Sequence, residues 1–222
     1  MGRAARLVVP NYPHHVTQRG ARKQKTFFSD HDYKMYIELL SRARERAGAE
    51  IWAYCLMPNH VHLIVVPTRL NSLAMLFRQA HRTYTLTINA REGWQGHLWQ
   101  ERFHSFVMDE NHLRAAVRYT ELNPVRGGLC SLPDEWEWSS FRAHLAGLDD
   151  KLVTVAPMLD RISNWREFIC AEHRNDNQMT TLREHSRNGR PAGNEEFVNK
   201  LEKLVGRSLK RRKPGRPKKV IE

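Results

Sequence analysis

Residues 50–66 read EIWAYCLMPNHVHLIVV, and the fold is decided by how this stretch is read. Two runs rich in aromatic, aliphatic and β-branched residues, 50–57 and 60–66, are parted only by Pro58-Asn59, and Pro67 closes the second. Strand-like runs separated by a two-residue turn signal predict an antiparallel hairpin. Side chains alternate along a strand, so His60 and His62 project from one face while Val61 points to the other. Two imidazoles at that spacing can share one divalent ion, and the apolar run 63–66 gives them a stiffer platform than a loop would. The pattern His-Val-His is a weak signal alone, because paired strand histidines are often structural or solvent-facing.

Before the hairpin, residues 15–18 read as a short strand ending at Arg19-Gly20. Asp30 is a candidate cap for a helix over 31–47, with Tyr33, Tyr36, Ile37 and Leu40 on one stripe and Gly48 as its stop. After the hairpin, Asn71 or Ser72 caps a predicted helix over 73–90, whose apolar face carries Leu73, Leu76, Phe77, Ala80 and Tyr84. A strand over 103–108 and a helix over 111–123 come next; Pro124 disfavours helical backbone at Asn123 and should end that helix. The order is β-α-β-β-α-β-α. The expected fold is α+β, a split βαβ antiparallel sheet with helices on one face.

Beyond residue 128 the pattern turns helical, with segments predicted over 139–146, 163–172, 181–188 and 194–205. The last two flank GRPAG, residues 189–193, and resemble a helix-turn-helix in outline. Glu195 and Glu196 open the second helix, where a recognition helix would meet base edges, so the pair is read as packing structure. The expected organisation is a catalytic domain over 1–128, a small helical C-terminal region over 129–206 and a basic tail over 207–222.

The chain has 222 residues, with 36 Lys+Arg against 24 Asp+Glu, a net charge of +12. With 41% hydrophobic residues it can bury a sizeable core, which excludes a globally disordered chain. No apolar run approaches the ~18 residues of a membrane span, and the first ten residues hold too short an apolar stretch for a secretory signal. Cys55, Cys130 and Cys170 lie far apart with no CxxC, which argues against a zinc ribbon and fits a reducing cytoplasm. Eight of the positive charges crowd residues 207–219: Arg207, Lys210, Arg211, Arg212, Lys213, Arg216, Lys218 and Lys219. Such a run calls for a polyanion, with nucleic acid the natural partner; a merely solubilising tail is the plainer alternative.

Tyr119 and Asn123 stand four residues apart near the end of a predicted helix, so both face the same way. A tyrosine can attack phosphorus and preserve the bond energy as phosphotyrosine, though its ordinary pKa of about 10 means it needs help from a metal or cations. Asn123 offers a hard carbonyl oxygen that suits Mg2+ or Mn2+ beside nitrogen ligands. Alternatively, Tyr119 packs on the sheet and Asn123 only caps the helix. Arg19, Arg22, Lys23 and Lys25 form a basic stretch after the first strand, and Arg78, His81 and Arg82 share a helix face; each group could meet a DNA backbone or simply be solvated. Trp94 and Trp99 could stack on unpaired bases or pack in the core.

Several stretches occur in a specific order: HVTQRG (15–20), YCLMPNHVHLIV (54–65), HLWQERF (97–103), YTELNPVRGGL (119–129), WSSFRAHLAG (138–147), and the GRPAG-to-KPGRPKK end. Together they resemble the REP-associated tyrosine transposases, a branch of the single-tyrosine HUH transposases. The resemblance implies a ferredoxin-like sheet with His60 and His62 on a central strand and the Tyr119 helix across the site. It implies that His60, His62 and Asn123 hold a divalent metal, Mg2+ or Mn2+. It also implies that Tyr119 attacks single-stranded DNA to leave a 5′-phosphotyrosine link and a free 3′-hydroxyl. The implied substrates are repeated extragenic palindromes folded as hairpins with a short flanking guide sequence. The resemblance suggests a monomer with the tyrosine acting in its own site, whereas related insertion-sequence enzymes are dimers that exchange this helix; the expected place is the cytoplasm, at the nucleoid, with no membrane and no nucleotide cofactor. Two positions depart from the family pattern: His14 stands where an aromatic is usual, and Gly127 where Ala is usual, the latter expected to lie away from the chemistry. The competing readings are a non-catalytic DNA- or RNA-binding protein on an RRM-like sheet, and a metallonuclease that uses activated water.

Overall fold

The structure, a computed structural model, describes residues 6–171 and 176–210. Six elements build the expected unit in order: β1 (His14–Arg19), α1 (Asp30–Ala47), β2 (Ala49–Met57), β3 (His60–Pro67), α2 (Ser72–Glu92) and β4 (His104–Val107). The strands lie in the order β2-β3-β1-β4, and every neighbouring pair is antiparallel. The hairpin over 50–66 is therefore one edge and one central strand of a ferredoxin-like sheet. The helix α1 begins one residue earlier than the Asp30 cap implies. Asp32 explains the start: its Oδ2 accepts the backbone N–H of Phe28 at 2.8 Å and of Ser29 at 3.2 Å, satisfying groups that the first turn leaves orphaned. Gly48 closes α1 in the left-handed conformation at φ 60°.

Each strand splits its side chains between two layers. Val61, Leu63 and Val65 of β3 join Val16, Tyr54 and Leu56 against the apolar stripes of α1 and α2, including Tyr36, Leu40, Leu73, Leu76 and Tyr84. Both crossover helices share this face, as the amphipathic stripes predict. Arg91 of α2 pins them together through Asp32, with Nη1 at 2.5 Å from Oδ1. The pairing of β2 with β3 shifts between Ile51 and Ala53, so Trp52 is an extra residue. Ile51 belongs to the helix-side core while Ala53 faces the other way with Ile64.

The C-terminal half of the chain covers part of the opposite face. The helix α3 (Glu110–Glu121) lays Leu113, Ala116 and Val117 against Ala53, Ile64 and Phe106. It ends two residues before Asn123, because Pro124 has no N–H for the carbonyl of Thr120; a separate turn, α4 (Asn123–Arg126), comes after it. Then come α5 (Phe141–Ala146), α6 (Ala156–Leu159), α7 (Trp165–Cys170), α8 (Asp176–Asn188) and α9 (Glu195–Val205). Leu182 of α8, Ala192 and Trp165 enter the same core as α3, and Leu201 of α9 packs with Leu7, Val9 and Val107.

These later segments also shield both sheet edges, which would otherwise expose unpaired backbone groups. Leu56 donates its N–H to Trp138 O at 2.8 Å and Ser140 donates to Tyr54 O at 3.0 Å, so residues 138–140 run beside β2. At the other edge Ala192 donates to Val107 O at 2.8 Å.

Candidate functional site

The face of the sheet bearing His60 and His62 opens into a cleft of about 600 Å³. Strand alternation delivers His15 and Thr17 from β1 and His104 from β4 to the same side, while α3 and α4 bring Tyr119, Asn123 and Arg126 across it. His62 lies 5.3 Å from the Tyr119 ring and 5.0 Å from the His60 ring, centroid to centroid. The break between α3 and α4 leaves Tyr119 and Asn123 both lining the cleft, as their spacing suggested.

Hydrogen bonds orient the imidazoles. Nδ1–H of His60 donates to Asn59 Oδ1 at 2.6 Å, which leaves Nε2 with a free lone pair. Nδ1 of His62 and Nε2 of His15 are 3.0 Å apart, and the two rings stack at 5.2 Å. Burial lowers the pKa of His60 to about 4, with Arg19 adding to the effect. Burial also lowers His62 well below its usual value, helped by His60, His15 and Arg19, and lowers His15 to about 3. All three are neutral at pH 7, the state in which an imidazole binds a metal.

The residues fit a divalent ion only if an oxygen donor joins the imidazoles. Among the described residues, no three His, Cys, Asp or Glu side chains converge to hold a metal by themselves. Oxygen-bearing side chains that line the cleft with the imidazoles include Thr17, Gln18, Gln100, Glu101, Tyr119 and Asn123. Asn123 is 8% exposed and lines the cleft; its Nδ2 donor has no partner, and Oδ1 is the atom of that amide able to face a cation.

The other candidates divide. Arg19 lines the cleft. Arg22 and Lys23 sit on a tight turn with φ of 54° and 63°, and the Lys23 carbonyl accepts from Asn59 Nδ2 at 2.9 Å, so the loop is tied to the hairpin turn that carries His60. Lys25 is exposed just beyond it. Gly20 permits this approach: a methyl group there would run into the Gln24 carbonyl. Arg78 and Arg82 are exposed on α2, the helix layer on the far side of the sheet, and do not line the cleft. Arg211, Arg212, Lys213, Arg216, Lys218 and Lys219 lie outside the described residues.

Trp99 stacks on His81 at 4.6 Å within the helix-side core and is not available to bases, whereas Trp94 is 41% exposed. His14 faces the core side: its Nδ1–H donates to Tyr12 O at 2.8 Å and its Nε2 accepts from Val9 N at 3.1 Å. It is a structural histidine that ties the N-terminal segment to β1, away from the chemistry. Gly127, expected to be remote, borders the cleft, where a methyl would press on Met57 Cε at 3.0 Å.

Sequence reasoning missed three features. His15 meets His62, and only the strand register, Thr17 opposite His62, shows that β1 feeds the site. Arg126 sets its guanidinium 5.6 Å from the centre of the Tyr119 ring. Glu121, two residues past Tyr119, is fully buried. It accepts from Ser140 Oγ at 2.6 Å, from His144 Nδ1–H at 2.8 Å and from Trp165 Nε1–H at 2.9 Å. This carboxylate clamps the tyrosine helix to α5 and α7.

A histidine pair on the central strand of a ferredoxin-like sheet, faced by a tyrosine on a crossing helix, places the molecule in the class of tyrosine transposases. Residues 8–123 match the family described as "Transposase IS200 like". That is more than half of the chain, and the chain belongs to this family. It is similar to the REP-associated tyrosine transposase of Escherichia coli (strain K12), at 23% identity over 115 residues, covering 51% of this chain and 67% of that protein. A solved structure described as a REP-associated tyrosine transposase bound to a REP hairpin superposes with a TM-score of 0.57. The match is at 21% identity and covers 69% of this chain and 92% of the other. Among the described residues no helix is long and apolar enough to cross a membrane.

Proposed function

We propose that this transposase cuts and rejoins single-stranded DNA at hairpin-forming repeated extragenic palindromes, with Tyr119 as nucleophile and Mg2+ or Mn2+ held by His60, His62 and Asn123. The observation that carries the reading is the meeting of Tyr119 with the two neutral histidines in one cleft. The named activity of the E. coli relative and the hairpin bound by the structural neighbour point to the same substrate class.

A divalent ion in this site supplies positive charge to the non-bridging phosphate oxygens. The chain's own groups do the rest. His60 is aimed by Asn59, and His62 by His15, so two ligand nitrogens are set before DNA arrives. Tyr119 Oη gives up its proton to solvent and attacks phosphorus in line with the 3′-oxygen; the P–Oη bond forms as the P–O3′ bond breaks, and the departing 3′-oxygen takes one proton from solvent to become a hydroxyl, so the exchange is proton-neutral overall. Arg126 and Arg19 flank the cleft and offset charge on the phosphate. The 5′-phosphotyrosine keeps the bond energy, so a 3′-hydroxyl can attack it in reverse and no nucleotide cofactor is needed. A short flanking guide strand, a monomeric protein and action in the cytoplasm at the nucleoid complete the proposal.

The test is denaturing electrophoresis of an end-labelled single-stranded hairpin incubated with protein and Mn2+. A protein-sized adduct that disappears in Tyr119→Phe, while hairpin binding persists, is the expected result. Cleavage surviving in Tyr119→Phe would hand the chemistry to an activated water. Binding without any cleavage by the unaltered protein would leave only an RRM-like binding module.

A further inference from the structure

A second groove wraps the outer edge of β4. About 530 Å³ in volume, it is lined by Arg6, Arg102, Arg187, Arg190, Arg207 and Lys210. These six cations come from four separate stretches of chain, and no Asp or Glu lines the groove. Arg102, Arg187 and Arg207 are exposed, and no carboxylate pairs with Arg102, Arg187, Arg190 or Arg207 among the described residues. Gathering like charges in one concave place costs free energy unless a polyanion offsets it. Of the six, Lys210 meets Glu195 Oε1 at 3.4 Å, and several arginines elsewhere are paired as well: Arg42 with Glu38, Arg91 with Asp32, Arg161 with Glu110 and Arg166 with Asp134.

The groove runs into the tyrosine cleft. His104 and Arg187 line both, so a strand leaving Tyr119 can pass over the β4 edge, meeting on the way one carboxylate of the cleft lining, Glu101, which lies 3.4 Å from His104. Its floor holds Phe103, with the Arg6 guanidinium 3.8 Å from the centre of that ring, and Ser105, whose buried Oγ has no hydrogen-bond partner. Six cations drawn from four stretches of chain suit a run of phosphates better than a single free ion. Four of the six cations, Arg187, Arg190, Arg207 and Lys210, lie after the segment 8–123 that matches the family.

We infer that this groove binds the sugar–phosphate backbone of the single-stranded DNA that leads out of the tyrosine cleft, on one side of the hairpin. The inference rests on the proposed reaction for its direction, and its test reads binding alone. Fluorescence anisotropy compares the full chain with an Arg102→Gln/Arg190→Gln/Arg207→Gln variant. The probes are one hairpin bare, the same hairpin with a short 5′ extension, and with a short 3′ extension. The unaltered protein should bind one of the extended forms about tenfold tighter than the bare form. The triple variant should lose that gain, bind the bare hairpin as before, and lose about two units of slope in log K against log salt, roughly 0.7 per single-strand phosphate contact. The matching Arg→Lys variant should recover most of the gain, which separates charge from damage to the fold.

A gain retained in full by the Gln variant overturns the inference, as does equal weakening on the bare hairpin, which would put the stem in the groove. Inorganic phosphate competing as well as the extended strand does, mole for mole, also overturns it. The extension gain is read in Tyr119→Phe as well. If it persists in a protein that never cuts DNA in any form, the cleavage reading fails while the groove stands.

Discussion

His62 shows how much a single imidazole in this site depends on its neighbours. For its Nε2 to present a lone pair, Nδ1 must carry the proton and donate to His15 Nε2, 3.0 Å away. His15 then acts as an acceptor, and its own Nδ1, buried with no partner, carries the hydrogen. His60 is simpler, since Asn59 Oδ1 can only accept. Replacing His60 or His62 with Ala should leave folding nearly intact and abolish metal-dependent cleavage. Asn123→Ala should weaken cleavage less, because water can supply the missing oxygen. The check is Mn2+ binding measured by calorimetry alongside the cleavage assay. Full cleavage by His62→Ala in the presence of chelator would sink the metal assignment. At this scale the sequence was informative for His60, His62, Tyr119 and Asn123, whose spacing alone puts each pair on one face. It was silent on His15, because only the register of β1 against β3 brings that ring to His62.

Among the elements, α3 is the one that carries Tyr119, the proposed nucleophile, and its position is set from behind. Leu113, Ala116 and Val117 seat it on the sheet, and the Glu121 carboxylate holds its end through three donors. Glu121→Ala would leave the Ser140 hydroxyl, the His144 N–H and the Trp165 N–H unpaired in a dry site, a loss on the order of 3 kcal/mol. The expected outcome is a clearly lower denaturation midpoint, with cleavage falling further than hairpin binding because Tyr119 is no longer held. An unchanged midpoint in urea would show that the clamp does not matter. The alternation of 50–66 and the stripes of α1 and α2 were legible because local periodicity carries them. The motif WSSFRAHLAG was visible only as a helix, whereas in the structure its first residues run beside β2 and Ser140 and His144 complete the clamp. Contacts between segments far apart in sequence leave no periodic trace.

For the molecule as a whole, acid and salt are the informative perturbations. Burial lowers His14 to about 4 and His81 to about 3, and both sit in the scaffold away from the tyrosine cleft. Unfolded, each would titrate near 6.5, so between that pH and about 4 the unfolded chain binds protons that the folded one refuses. Stability should therefore fall as pH drops through this window, by up to about 1.4 kcal/mol per unit for each histidine. Urea midpoints at pH 7, 6 and 5 test it; a level series would mean these side chains are charged or exposed in solution. The tail over 207–219 lies mostly beyond the described residues, yet its charges make a separate prediction. Truncation after Gly206 should spare cleavage, since His60, His62, Tyr119 and Asn123 all lie upstream. It should also lower the salt slope of DNA binding by roughly three units if about four of the eight charges touch single-strand phosphates. Identical slopes for the long and short chains would remove the tail from DNA binding.

The Glu121 clamp has a consequence for stoichiometry. It joins the tyrosine helix to α5 and α7 of the same chain, and Tyr119 is the one tyrosine lining the cleft among the described residues. On the proposed reaction each molecule would offer DNA a single phenol and carry one strand end at a time. Freeing a segment takes two cuts. Either one molecule must release its first end before making the second cut, or two molecules must meet on the same strand. Double-cut product should then rise with a higher power of protein concentration than single-cut product, which makes the cell's supply of this protein a control on whether DNA is nicked or moved.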